Sequence, residues 1–343
     1  MGLLASFRRG WFFAFVAILW FAILGQVFLP AEAISQSEAR NLTQRPDLPK
    51  TLRAWGAFPA AMDKYLADHF GFRKHLVLAN AVLRYVLKSP TSTEVLYGRN
   101  GHLFYLGEDA AQQSAGYILR TPQVKEFSDI VADLHHRLAM RNIPLLVAMP
   151  PNNSTANQAY LPGWMRGNRA FTEYDLALRF LAERGVPAID LRPELQSQDT
   201  RPTYLYTDTH WNLLGAAIAR NAIVRGLGHP EWQIDIDRAF KGYFDTSGGD
   251  LARFLGVASL VHDRGAKMDV SSYPPSTGPK VLVIGDSFAA SFFPLIWANA
   301  GQLEVLETFP CQMQVDAVMV RVMARNPAYV VFATTERRLD CLK

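Results

Sequence analysis

The stretch Val281–Phe288, VLVIGDSF, decides the fold that we expect for this chain. Four apolar residues and a glycine predict a buried strand, and the Gly-Asp-Ser turn after it opens a helix. The turn places Ser287 at the carboxyl end of the strand, beside helix N–H groups, where a hydroxyl can attack a carbonyl. Taken alone, the turn is equally typical of a helix cap made by Asp286 or Ser287.

Strands and helices alternate regularly around this stretch. The predicted helices cover residues 124–141, 171–184, 212–225, 288–300 and 315–325, and the predicted strands cover 143–149, 186–191, 281–285, 303–307 and 329–335. Apolar strands separated by helices predict a three-layer α/β/α domain with about five parallel strands. Because sites in such sheets lie at the carboxyl ends of strands, we expect one shared rim. It would be formed by residues 150–154, 190, 285–288, 308–310 and 336–337.

A serine at this rim needs a base, because a hydroxyl is a weak nucleophile at neutral pH. An imidazole within hydrogen-bond reach and a carboxylate that fixes its tautomer would supply one. Asp208 and His210 lie two positions apart about eighty residues upstream, just before a predicted helix. We therefore expect Asp208, His210 and Ser287 to meet at the rim. Asp68 and His69, on an amphipathic helix, are interpreted as a structural pair.

The N-terminal region differs from the rest of the chain. Arg8 and Arg9 precede an apolar stretch, residues 11–29, that contains no charge. About 20 apolar residues span a bilayer and a cleaved signal core has about 7–15, so the length favours an uncleaved anchor. Ala31-Glu32-Ala33 is nevertheless compatible with cleavage. The arginines orient the N-terminus to the cytoplasm and the bulk across the membrane, in a bacterium to the periplasm.

These observations divide the chain into three parts. Residues 1–30 form the cytoplasmic N-terminus and inner-membrane anchor, residues 31–52 a polar linker, and residues 53–343 the α/β domain. Its first part, residues 53–120, is a lead-in with a helix over 58–87 and a hairpin over 95–104.

Composition limits the functional classes. With 343 residues, of which 49% are hydrophobic and 19% charged, the chain can bury a large core. A net charge of +4 without a dense Lys/Arg block or interleaved aromatic residues does not indicate nucleic-acid binding. Cys311 and Cys341, the only cysteines, permit one disulfide or two separate thiols but no metal cluster. No zinc signature is present, and we expect neither a metal nor a bound cofactor.

The residues 285–288, Gly-Asp-Ser-Phe, together with 208–211, Asp-Thr-His-Trp, resemble a known domain. It is the SGNH-hydrolase-like domain of the alginate O-acetyltransferase family, periplasmic proteins that acetylate exopolysaccharides. Ordinary SGNH esterases carry the serine turn near the start and an Asp-x-x-His block near the end. Here the order is reversed and the spacing is Asp-x-His, as in the acetyltransferase family. Further similar segments are residues 68–73, 98–104, 150–153, 161–162 and 248–251.

The resemblance implies a role for each motif residue. Ser287 accepts the acetyl group, His210 acts as general base and then general acid, and Asp208 orients the imidazole. The backbone N–H of Ser287 or Phe288 is a candidate oxyanion donor.

Other rim residues have two interpretations each. Asn152 supplies a side-chain amide to the oxyanion or forms a turn. Trp211 stacks on a sugar ring or packs beneath the catalytic loop. Arg337 faces a carboxylate-bearing sugar or lies on a solvated surface. Asn153 stands where the family often has lysine, so the acceptor need not be alginate.

We therefore expect an anchored periplasmic O-acetyltransferase that uses a serine acyl-enzyme to modify a secreted exopolysaccharide, alginate-like or other. The resemblance implies a membrane-bound O-acyltransferase as the acetyl source. One alternative is a periplasmic carbohydrate esterase with the same triad, which differs in its acceptor site and in water exclusion. The other is a non-catalytic polysaccharide-binding scaffold subunit.

Overall fold

The computed structural model of the protein describes residues 10–17, 20, 34–35, 40–70, 72–89, 92–166, 171–196, 201–308 and 314–339. The chain divides into two compact units. The smaller comprises residues 1–89 with 253–257, and the larger comprises residues 90–252 with 258–343.

The larger unit is built on a sheet of five strands, each hydrogen-bonded in parallel to its neighbours, as the sequence predicts. From one edge to the other, the strands are Gly301–Glu307, Gly278–Gly285, Tyr329–Ala333, Leu145–Ala148 and Ala188–Ile189. The strand that leads to Ser287 therefore has a neighbour on each side. The edge strand Ala188–Ile189 is shorter than predicted.

Alternate residues of Gly278–Gly285 supply two hydrophobic cores, one on each face of the sheet. Val281 and Val283 belong to the core that contains the helices Leu213–Gly226 and Ser287–Ile296. Leu282 and Ile284 belong to the opposite core, whose helices are Thr121–Ala139, Glu173–Glu183 and Val315–Met323. All four strand residues are fully buried, so the strand is covered on both faces. The predicted three-layer architecture is thus confirmed.

Two antiparallel hairpins complete the larger unit. The strands Val95–Tyr97 and Leu103–Tyr105 form the hairpin that the sequence predicts. A second hairpin, Phe240–Ser247 with His262–Met268, was not predicted. None of the residues in Phe240–Ser247 is buried, so the apolar alternation that reveals a strand is missing there. The short helices are Ala110–Ser114, Asn153–Ala156, Arg192–Leu195, Ile236–Ala239 and Asp250–Phe254.

The smaller unit contains a two-stranded antiparallel pair, Ile34–Ser35 with Arg40–Asn41. Its helices are Leu52–Trp55, Phe58–His69 and Arg73–Val86. The single helix predicted over residues 58–87 is therefore wrong: the helical path is interrupted at Phe72, which has a left-handed φ of 63°.

Asp68 and His69 both contact Thr43. The Asp68 carboxylate accepts from the Thr43 N–H and hydroxyl at 2.8 and 2.7 Å, and His69 Nε2 lies 2.8 Å from the Thr43 carbonyl oxygen. These bonds hold the predicted linker against the helix Phe58–His69. They fit the structural interpretation of the pair.

Most of the predicted membrane segment, residues 11–29, lies outside the described residues, although residues 11–17 and 20 are helical. No helix in the described ranges is both long and apolar enough to cross a membrane. Cys311 and Cys341 also lie outside the described residues, so the question of their pairing stays open.

Gly285 permits the close approach of two central strands. A Cβ at this position would collide with the carbonyl oxygen of Ala333 on the neighbouring strand. We expect Gly285→Ala to lower the free energy of unfolding by about 1–3 kcal/mol, measured by urea unfolding of the full-length chain. Gly163→Ala is a suitable control, because its Cβ would have no neighbour nearer than the Arg166 guanidinium at 3.6 Å. Equal stabilities of the two variants would contradict this explanation.

Candidate active site

The serine turn is capped by Asp286, not by Ser287. Asp286 Oδ1 accepts the N–H of Phe288 at 3.1 Å, which is an N-cap contact. Its Oδ2 accepts the N–H of Thr335 at 2.9 Å and the Thr335 hydroxyl, so the cap also ties the turn to the end of the adjacent strand. The hydroxyl of Ser287 is thereby left for other contacts.

Asp208, His210 and Ser287 form a continuous hydrogen-bonded chain. His210 Nε2 lies 2.8 Å from Ser287 Oγ, and His210 Nδ1 lies 2.7 Å from Asp208 Oδ1. Asp208 is buried, whereas the His210 side chain is 20% exposed and Ser287 is partly exposed. The serine and the imidazole are therefore reachable from solvent, while the carboxylate lies behind them. This arrangement can remove a proton from Ser287 and hold the imidazolium that results.

The loop that carries Asp208 and His210 is held by two further carboxylates. Asp250 accepts the N–H and hydroxyl of Thr209 at 2.8 and 2.6 Å, and its N–H donates to Asp208 Oδ2 at 2.9 Å. Asp263 accepts the N–H and hydroxyl of Thr207, both at 2.7 Å. Sequence reasoning assigned neither residue a role. The resemblance at residues 248–251 pointed towards Asp250, but nothing in the sequence singled out Asp263.

Asn153 supports the same loop through its carbonyl oxygens. This buried residue donates from Nδ2 to the carbonyl oxygens of Asp208 and Leu205 at 2.7 and 3.0 Å. Asn153, which stands where the family often has lysine, therefore holds the loop that carries Asp208 and His210.

Asn152 is not a free oxyanion donor. Its Nδ2 group donates to Gln113 Oε1 at 3.0 Å and Ser114 Oγ at 3.2 Å, which uses both of its hydrogens. Asn152 instead precedes the short helix Asn153–Ala156, although its side chain makes no capping hydrogen bond there. The N–H of Phe288 is bound by Asp286. Within the described chain, the N–H of Ser287 has no partner, and it remains the available donor of those predicted.

Trp211 cannot stack on a sugar in this structure. Its side chain is fully buried, its ring packs edge-on against Phe288, and its Nε1–H donates to the Phe288 carbonyl oxygen at 3.2 Å. The alternative, packing beneath the catalytic loop, is the one that agrees with the structure.

Arg337 does not fit the interpretation as a solvated surface residue. Its side chain is only 11% exposed, so it does not lie on a solvated surface, and Nε is 3.3 Å from Glu108 Oε2. The guanidinium carbon lies 5.4 Å from the centre of the Phe288 ring. Arg337 is therefore near the site and shares the Glu108 carboxylate with Arg338, whose Nη1 lies 2.7 Å from Oε1. Its contact with a carboxylate-bearing sugar stays a prediction.

The strand ends meet largely as the sequence predicts. The N–H of Thr308 donates to the Gly285 carbonyl oxygen at 2.9 Å, and that of Glu336 donates to Pro150 at the same distance. Residues 309 and 310 lie outside the described part of the chain.

One group of side chains could in principle hold a cation. Asp208, His210 and Asp250 each offer a ligand atom, and these atoms lie within 4.8 Å of one another. However, Asp208 already binds His210, and Asp250 already binds Thr209. A cation here would compete with the hydrogen bonds that orient the imidazole.

The two neighbouring carboxyls have opposite pKa shifts. Burial raises the pKa of Asp208, but the hydrogen bond and charge of His210 and two backbone N–H donors outweigh it, and the pKa lies below its usual value. Burial, followed by the negative charge of Asp208, raises the pKa of Asp250 above its usual value.

These shifts predict opposite pH dependences of stability. Ionised Asp208 stabilises the fold above about pH 4, and this contribution is lost as the pH falls through its lowered pKa. Ionised Asp250 costs stability, and this cost disappears as the pH falls through its raised pKa. In urea unfolding between about pH 7 and 3, the advantage of the wild type over Asp208→Asn should shrink below about pH 4. The stability of the wild type relative to Asp250→Asn should increase as the pH falls. If the stability difference between wild type and variant changed in the same direction with pH for Asp208→Asn and for Asp250→Asn, the opposite pKa shifts would be refuted.

Several solved structures are similar to this chain. The O-acetyltransferase domain of Pseudomonas putida AlgJ is 19% identical, covers 73% of this chain and 93% of its own, and has a TM-score of 0.51. Bacillus cereus PatB1 is 14% identical over 72% of this chain and 97% of its own, with a TM-score of 0.49. Pseudomonas aeruginosa AlgX is 13% identical, covers 70% of this chain and 61% of its own, and has a TM-score of 0.45. The similarity to the AlgJ domain concerns the fold alone. No curated protein matches the sequence.

Residues 95–308 match a protein family described as "SGNH hydrolase-like domain, acetyltransferase AlgX". The match spans well over half of the chain and includes Asp208, His210 and Ser287. The chain therefore belongs to the SGNH hydrolase-like AlgX acetyltransferase family.

Proposed function

We propose that this protein is an O-acetyltransferase that moves an acetyl group through a serine acyl-enzyme to a hydroxyl of a secreted exopolysaccharide during its biosynthesis. Membership of the acetyltransferase family supports the reaction class. The observation that carries the proposal is the hydrogen-bonded chain from Asp208 through His210 to Ser287. The polymer, alginate-like or other, is part of the proposal.

In the first step, His210 Nε2 takes the proton of Ser287 as Oγ attacks the acetyl carbonyl of the donor. Asp208 holds Nδ1–H, so that Nε2 is the basic nitrogen and the imidazolium is stabilised. We assign the N–H of Ser287 as the donor to the developing oxyanion. His210 then returns the proton to the leaving group, and acetyl-Ser287 remains.

In the second step, His210 takes the proton of a sugar hydroxyl, which attacks acetyl-Ser287. The tetrahedral intermediate collapses, His210 gives the proton back to Ser287 Oγ, and the acetylated sugar leaves. The same steps with water as the acceptor would be hydrolysis, so the acceptor decides between a transferase and an esterase.

The proposal includes a cellular setting. An anchor over residues 11–29 would hold the domain at the periplasmic face of the inner membrane, beside a membrane-bound O-acyltransferase that supplies acetyl groups. The length of the apolar stretch and the two preceding arginines support this part of the proposal.

An acceptor assay tests the function. The purified full-length chain is incubated with an activated acetyl ester and with neutral or uronate-bearing oligosaccharides, and both acetate release and oligosaccharide mass are followed. A gain of acetyl groups on sugar is the expected result. Acetate release without any sugar product would favour the esterase. Absence of turnover together with absence of an acetyl adduct on Ser287 would favour the scaffold.

Ser287→Ala should abolish both the acetyl adduct, detected by mass spectrometry of peptides, and the acetylation of sugar. Ser291→Ala is a matched control: it removes a hydroxyl from the same helix one turn later, at an exposed position. An adduct that persists in Ser287→Ala would disprove the nucleophile assignment.

His210→Ala and Asp208→Ala should each lower turnover by about 10³–10⁴-fold, because the serine loses its base or the imidazole loses its orienting carboxylate. His262→Ala, which changes an exposed histidine at the start of a strand, provides the control. Initial rates with the activated ester are compared at equal concentrations of folded protein. A rate near that of the wild type in either triad variant would refute the triad.

A further inference from the structure

The helix Arg73–Val86 of the smaller unit carries an apolar stripe that faces away from its own unit. Leu76, Leu83, Val86 and Leu87 follow one another at helical spacing and therefore share a face. They are 49%, 58%, 69% and 68% exposed, whereas Val77 on another side of the helix is half-buried. The apolar side of a helix in a soluble domain normally packs on a core, so this stripe needs another apolar environment.

The charge of the surrounding sequence indicates what that environment is. Residues 50–88 contain seven Lys or Arg and two Asp or Glu, against 35 and 31 in the whole chain, so this segment carries +5 and the remainder −1. Arg84 and Lys88 are exposed next to the stripe. An apolar stripe flanked by basic side chains is typical of a helix that lies in an anionic lipid surface.

The covalent chain keeps this helix near the predicted anchor. Hydrogen bonds fix Thr43 to Asp68 and His69 within the smaller unit. Fourteen residues, 30–43, separate that fixed point from the end of the predicted membrane segment. Even a fully extended chain of this length spans at most about 50 Å. The smaller unit is thus confined close to the bilayer into which residues 11–29 are predicted to insert.

We propose that the exposed stripe of the helix Arg73–Val86 docks on the anionic phospholipid surface of the membrane as a second contact beside the predicted anchor. Apolar side chains enter the region between headgroups and acyl chains, and the basic residues pair with lipid phosphates. The proposal concerns the smaller unit and is independent of the chemistry at Ser287, since the acetyl-ester assay and the membrane assay report on different residues.

Spin labelling tests the docking directly. Full-length protein with Cys311→Ser and Cys341→Ser receives a nitroxide at Leu83→Cys or, in a second variant on the same stripe, Leu76→Cys. Lys125→Cys, an exposed position on the larger unit, is the control. The protein is reconstituted into vesicles of phosphatidylcholine alone or with about one third phosphatidylglycerol, and collisions with oxygen and with a water-soluble nickel chelate are measured.

In vesicles that contain phosphatidylglycerol, labels at 83 and 76 should gain access to oxygen and lose access to the nickel chelate, and salt should reverse this change. The label at 125 should stay accessible to the chelate. Arg84→Gln or Lys88→Gln should each lower the ratio of docked to undocked label by roughly fivefold, the expected contribution of one basic residue near an anionic surface.

Three outcomes would overturn the proposal. Labels on the stripe that remain accessible to the chelate in both vesicle types would mean that no lipid covers it. Poor access to both reagents would mean that protein covers it, either another segment of this chain or a partner. Equal shielding in both vesicle types, insensitive to salt, would exclude recognition of anionic headgroups.

Discussion

The hydrogen bond between His210 Nδ1 and the buried Asp208 carboxylate is the contact on which the rest of the site depends. Both residues lie in a loop between secondary-structure elements, closed at its base by the isolated antiparallel bridge between Tyr204 and Trp211, whereas Ser287 is fixed at the junction of a strand and a helix. Between the ends of the loop, side chains supply further contacts. The carboxylates of Asp250 and Asp263 bind its N–H and hydroxyl groups, and Asn153 binds its carbonyl oxygens. Donors and acceptors of the loop are thus bound by different residues, which helps to fix the imidazole beside Ser287.

The sequence could predict the central sheet because its strands are buried on both faces and its helices have one apolar side. Val281 to Ile284 read as a continuous apolar run since alternate residues enter two different cores. Where burial does not accompany secondary structure, prediction failed. The strand Phe240–Ser247 has no buried residue, and the break at Phe72 depends on one backbone angle that the apolar pattern does not encode.

The residues of the site also divide into those whose place could be predicted and those whose role could not. Asp208, His210 and Ser287 were predictable because their chemistry restricts the residue types and because a parallel sheet brings strand ends together. The roles of Asn152, Trp211 and Arg337 were not predictable, since an amide, an indole or a guanidinium serves a ligand only when no group of the protein already occupies it. In the structure Gln113 and Phe288 bind the amide and the indole, and Glu108 lies beside the guanidinium. Each of these groups lies far from its partner in sequence.

The distribution of charge bears on how an acceptor would reach Ser287. A net charge of +4 first suggests attraction of an anionic polymer, but residues 50–88 alone carry +5 and the remainder of the chain carries −1. The domain that contains the triad therefore has no excess positive charge with which to attract a polyanion over long range. In the proposed reaction, selection of the acceptor would then rest on contacts at the rim itself, where the single carboxylate of Glu108 pairs with both Arg337 and Arg338. A neutral polymer is consistent with the lack of long-range positive charge, and an acidic one with short-range contacts to these two arginines. The choice of sugar is thus separate from the attraction of the protein to an anionic surface.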